Sequence, residues 1–185
     1  SHVHDSSKDG PAYTDPRPRG FRCGHRWLRS GSERVPEMKI ILTASELRMA
    51  SVVGTERKIE SLNSKRKNVH GLTKASWTED IDGAAGEMAA AKAINNYWAG
   101  TVNSFKSADI GSSVQVRTTS YENGCLIIRA DDKDDEWFIL VVGQSPEFNV
   151  VGYMQAKAGK RPEWIKNYND RPPAWFVPQS ALTKI

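Results

Sequence analysis

Four residues near the middle of the chain carry groups that simple helix or strand patterning does not call for: Glu87, Asp109, Gln115 and Arg117. Glu87 lies in GAAGEMAAAK, Asp109 in SADIG, and Gln115 and Arg117 in VQVRTT. The first three offer hard oxygen ligands of the kind that suit a small divalent cation. Arg117 offers a permanent positive charge. Whether they form one site depends on the elements that carry them.

Glu87 falls on a predicted helix over roughly residues 82–98, with Asp80 or Asp82 as its cap. Ile81, Ala85, Met88, Ala91, Ile94 or Asn95, and Trp98 mark its buried side at helical spacing. Its small residues make it slim, so another backbone can come close. The neighbours of Glu87 three and four positions away are Ala84, Ala90, Gly83 and Ala91. None is a cation, so no intrahelical ion pair accounts for the carboxylate. An exposed glutamate near a helix start is the plain alternative.

After Gly100, TVNSF reads as a short strand, Gly111-Ser112-Ser113 as a turn and Val114–Thr119 as a strand. A hairpin there sets Asp109 near Gln115. Gln115 and Arg117 are two apart and share one face of the strand, with Val114 and Val116 on the other. Glu87, Asp109 and Gln115 are thus expected to converge, with Arg117 beside them. A polar strand face in water is the alternative for Gln115 and Arg117.

The remaining pattern supplies the frame. With 185 residues and 38% hydrophobic content, one core-forming domain is expected. No apolar run is long enough for a membrane span, and no secretory pattern is read. Residues 1–37 are rich in Ser, Gly, Pro and Arg. They read as a disordered or loosely attached extension, either an upstream segment or a non-native remnant, ahead of the domain at 38–185. Thr43 and Glu46 make a capping box for a helix from Thr43 onward, which Gly54 weakens and divides into two in one reading. Further strands are expected at CLIIRA, WFILVVG and Phe148–Met154. A short helix is expected near Glu163–Tyr168, then an extended piece at Trp175–Pro178. The acidic run Asp131–Glu136 reads as a solvated turn, since it lacks calcium-loop spacing. Cys23 and Cys125 lack metal-ligand spacing; Cys125 is expected as a buried thiol, and the setting as reducing.

Net charge is +4, a weak hint of an anionic partner. Its placement is more informative. Lys65, Arg66 and Lys67 follow the first helix, and Lys160 and Arg161 open a second basic stretch interleaved with Trp164, Tyr168 and Trp175. Clustered cations suit a phosphate backbone, and interleaved aromatics suit stacked bases. A solvated helix end and aromatics packed on a sheet are the structural alternatives.

A helix glutamate, a strand, an aspartate at a strand end and a three-residue motif on the next strand resemble the layout of the PD-(D/E)xK nuclease superfamily, over about residues 80–185. GYMQAKAGKRPEW and AWFVPQSAL resemble small uncharacterised phage and metagenomic members. The resemblance implies an α/β fold, restriction-endonuclease-like, with a mixed central sheet flanked by helices. It implies Mg²⁺- or Mn²⁺-dependent hydrolysis of DNA phosphodiesters in the cytoplasm of a bacterial or phage-infected cell, with RNA in place of DNA as the alternative. Asp109 would be the principal ligand, joined by Gln115, the Val116 carbonyl and Glu87; Arg117 would hold the scissile phosphate. Gln115 replaces an acid and Arg117 a lysine. The first change weakens metal affinity, and the second removes a possible base. A catalytically inactive nucleic-acid-binding relative and a structural phage protein are the alternatives.

Overall fold

The computed structural model describes residues 38–64, 77–102, 108–167 and 172–185. Strand β1 (Met38–Ile41) leads into helix α1 (Ala44–Asn63) and helix α2 (Trp77–Ala93). Strands β2 (Val114–Thr119), β3 (Leu126–Arg129), β4 (Trp137–Gln144) and β5 (Glu147–Gln155) follow. A one-turn helix α3 (Ala156–Gly159), strand β6 (Ile165–Lys166) and strand β7 (Ala174–Val177) complete the set, with 3₁₀ turns at Pro162–Trp164 and Gln179–Ala181.

The expected capping box is present: Thr43 N–H donates to Glu46 Oε2 at 2.6 Å and Glu46 N–H to Thr43 Oγ1 at 3.3 Å. Gly54 does not divide α1. It is buried where α1 crosses α2, and a Cβ there would come within 2.6 Å of Ile81 Cα and 2.8 Å of Asp80 O. Its missing side chain sets the helix separation. Helix α2 extends further upstream than expected and stops at Ala93, and Asn95 turns the chain with φ 51°. Asp82 lies within α2, and accepts from Ser145 N–H and Oγ in the turn between β4 and β5.

The fold is mixed α/β with two sheets. The main sheet has the order β1-β5-β4-β2, with β2 parallel to β4 and the other pairs antiparallel. The smaller sheet has the order β3-β7-β6. Strand alternation gives the main sheet two apolar faces. Val116, Ile139, Val141, Phe148 and Val150 pack with the alanine face of α2 and with Ala50 of α1. Phe138, Leu140, Val142 and Val151 pack with Leu126, Ile128 and Val177 of the smaller sheet. The main sheet is therefore the middle of three layers.

Several expectations need adjustment. Thr101 and Val102 are not in a strand, and the rest of TVNSF lies outside the described residues. The expected hairpin is reduced to a bridge between Ile110 and Val114. The short helix expected near Glu163 is the 3₁₀ turn Pro162–Trp164. Cys125 is half-buried and disulfide-bonded rather than a buried thiol, which removes the ground for expecting a reducing setting. Cys23 lies outside the described residues, as do residues 1–37 altogether. No helix among the described residues is long and apolar enough to cross a membrane.

Candidate functional site

Glu87 is not an exposed helix residue. It is 8% exposed, on the face of α2 that meets α1 and the sheet. The charge that balances it comes from the other helix. Arg57 Nη1 donates to Glu87 Oε1 at 2.6 Å, and Nη2 to Oε2 at 2.9 Å. This is the bidentate fork that matches guanidinium to carboxylate geometry. Trp98 Nε1 adds a third donor to Oε2 at 3.1 Å. Arg57 is itself held in place, since its Nε and Nη2 both donate to the Thr101 carbonyl, at 3.0 and 2.9 Å.

Arg57 carries no signal as a charge within a basic run. Its spacing does carry one: Ala50, Gly54 and Lys58, each four apart, are buried on α1, and Arg57 is beside them on the inward face. Burial alone would lower the Arg57 guanidinium. The hydrogen bonds and charge of Glu87, followed by the charges of Asp109 and Asp80, outweigh burial and raise it.

Asp109 lies next to this pair. Its neighbour Ile110 bridges Trp98, the residue that donates to Glu87. Asp109 Oδ2 accepts from the Val116 N–H at 2.7 Å, which ties the aspartate to the second residue after the start of β2. Its carboxyl is pushed up to about 6 from 3.8, first by burial and then by the negative charge of Glu87. The Val116 N–H, Arg117 and Arg57 pull it back down.

Gln115 and Arg117 do share a strand face, as expected, but it is the face turned away from α2. The register pairs Gln115 with Phe138 and Arg117 with Leu140, residues packed toward the smaller sheet. Val116 pairs with Ile139 and Thr118 with Val141, which face the helices. The helix that carries Glu87 touches β2 through Gly86 and Thr118. Arg117 Nη2 donates to both Asp132 oxygens at 2.8 and 3.1 Å, and its guanidinium lies 4.9 Å from the centre of the Phe138 ring. Asp132, read as part of a solvated turn, also accepts from the Arg129 N–H at 2.8 Å.

The convergence of Glu87, Asp109 and Gln115 with Arg117 beside them is therefore corrected. The backbone of β2 separates Glu87 from Gln115 and Arg117, leaving Asp109 as the one member beside Glu87. A divalent cation does not fit the donors as they stand. Both Glu87 oxygens already accept strong donors, Gln115 is on the other face, and one Asp109 oxygen is spent on Val116. No group of three His, Cys, Asp or Glu side chains is placed to hold a metal among the described residues.

Of the basic residues, Lys65, Arg66 and Lys67 lie outside the described residues. Lys160 is committed: its Nζ donates to the Asp132 carbonyl at 2.6 Å and to Asp134 at 2.7 Å. Arg161 is exposed, with its side chain 55% accessible; its Nε donates to the Ala158 carbonyl at 3.1 Å, its Nη1 lies 3.9 Å from Glu163 Oε1, and its guanidinium is 4.8 Å from the Trp164 ring centre. Lys160 over Trp175 at 5.9 Å and Lys166 over Phe176 at 6.0 Å make two more cation–aromatic pairs in the same part of the chain. No family model, curated protein or solved structure matches this chain.

Proposed function

We propose that this domain binds nucleic acid, DNA first, and does not by itself cleave it. The observation that carries the reading is the exposed Arg161 guanidinium over the Trp164 ring, with Lys166 over Phe176 a few residues further along the chain. Cations held over aromatic faces near the surface offer a phosphate backbone its counter-charge. The restriction-endonuclease-like frame belongs to the same reading, supported by the mixed sheet and the Glu87 helix packed on its face. Engagement of Glu87 by Arg57 is the reason for leaving hydrolysis out.

Fluorescence anisotropy with labelled single-stranded and duplex DNA, at stepped NaCl concentrations, tests this. Binding should weaken as a power of salt, and Arg161→Ala should lower the slope by about one. No binding at low salt would reject the proposal. The Mg²⁺-dependent phosphodiesterase reading keeps one supporting observation. Asp109 is half-buried, and its second oxygen makes no hydrogen bond among the described residues. Plasmid cleavage with Mg²⁺ or Mn²⁺ that Asp109→Ala abolishes would put that reading in place of binding alone.

A further inference from the structure

The two neighbouring carboxylates that the resemblance assigns to a metal already have a cation of the chain's own. We propose that Arg57 stands in the place of the divalent ion. Glu87, with Asp109 beside it, then forms a metal-independent centre that admits such an ion only once Arg57 is gone.

Three observations support this. The first is occupancy. Arg57 Nη1 and Nη2 each take one Glu87 oxygen, and the Trp98 indole N–H takes a further lone pair of Oε2. An incoming ion would have to displace the fork from the carboxylate. The second is anchorage. Nε and Nη2 of Arg57 also hold the Thr101 carbonyl, so the guanidinium is fixed at both ends rather than draped over the acid. The third is reach. Asp109 is near enough for the charges of Glu87 and Arg57 both to act on it, alongside that of Arg117, and its own charge acts on Arg57. Within the pair, the Glu87 side chain is 10% exposed and that of Arg57 25%.

The chemistry favours the guanidinium here. It is planar, weakly hydrated and always charged, so a largely buried carboxylate can hold it without stripping a hydration shell. Mg²⁺ gives up its water reluctantly and demands near-octahedral oxygens. The opposite strand face of Gln115 denies it a third protein ligand. On this view Glu87 serves, through Arg57 and Trp98, to hold α1, α2 and the Trp98–Thr101 turn together.

The test is calorimetric titration of the full chain with MnCl₂, with thermal melting followed in parallel. Wild type, Arg57→Gln and Arg57→Gln/Glu87→Gln are compared. Arg57→Gln should bind Mn²⁺ roughly tenfold or more tightly than wild type and gain melting temperature from it, and the double variant should lose both gains. If Arg57→Gln is unfolded alone, refolding on addition of Mn²⁺ is the same result read another way, because an ion that binds only the folded chain stabilises it. Mn²⁺ binding by wild type that Glu87→Gln abolishes would overturn the proposal. So would an Arg57→Gln chain that Mn²⁺ neither binds nor stabilises, or binding that persists in the double variant.

Discussion

Arg57 and Glu87, thirty residues apart on two different helices, meet through two hydrogen bonds of 2.6 and 2.9 Å in the helical layer of the fold. The pair joins α1 to α2 at the point where Trp98 and Thr101 also come in. It makes Glu87 a structural residue as the chain stands.

Breaking the pair from one side should be costly. Glu87→Gln leaves a largely buried guanidinium without its counter-charge, and a loss of about 3 kcal/mol is expected. Replacing both partners with methionine should cost less than either single change, because no charge is left uncompensated. Urea denaturation of the two single variants and the double variant measures the coupling directly.

Asp109 should make stability fall as pH rises. Its folded carboxyl holds the proton up to about 6, against 3.8 as its ordinary value. Between those values the unfolded chain releases the proton and the folded chain keeps it, so the folded state is favoured at the acid end of the window. Ionisation inside the fold costs up to about 3 kcal/mol above pH 6. Asp109→Asn should remove that slope and raise the melting temperature at neutral pH, with little effect below about pH 4. Melting curves across the window check it, and a slope that persists in the variant would reject this account.

Gly86→Ala tests how closely α2 lies on β2. A helix-interior alanine is worth about 1 kcal/mol over glycine in an open helix. Here the added methyl would run into the Thr118 side chain, whose Cγ2 and Cβ would lie 2.7 and 2.9 Å away. A net loss of about 1–3 kcal/mol is expected. Thr118→Ala in the same chain should restore much of it. Gly54→Ala should cost at least as much and have no such rescue, because the obstruction there is the backbone of Asp80 and Ile81. Chemical denaturation of the four chains decides.

Arg117 is predicted to be structural rather than a phosphate ligand. The hydrogen bonds of its Nη2 to both Asp132 oxygens and its place over Phe138 tie β2 to the turn before β4. Arg117→Lys keeps the charge and loses the planar guanidinium over the ring, with an expected stability loss of about 1–2 kcal/mol. The salt slope of DNA binding should stay at the wild-type value, whereas Arg161→Ala should lower it. A slope that falls by about one in Arg117→Ala would move Arg117 into the binding surface.

Much of the local structure was legible in the residue order. The Thr43–Glu46 capping box, the alanine face of α2 and the apolar runs of β4 and β5 each announce themselves within a few residues. So does the common face of Gln115 and Arg117, because strand alternation has a period of two. These features depend on neighbours close in sequence, and the sequence by itself determined them. It also placed an acid, Glu87, on a surface of small residues without an intrahelical partner.

Only the tertiary structure decided how that charge is met. Period-two alternation says which residues share a face, but not which face meets a given helix. That choice follows from the layering, in which α2 takes the Val116–Thr118 side of β2 and the smaller sheet takes the Gln115–Arg117 side. The same layering brings Arg57 across thirty residues to Glu87 and Asp132 across fifteen to Arg117. Burying a charge is costly unless an opposite charge reaches it, so each of these acids and bases ended beside the partner that packing made available.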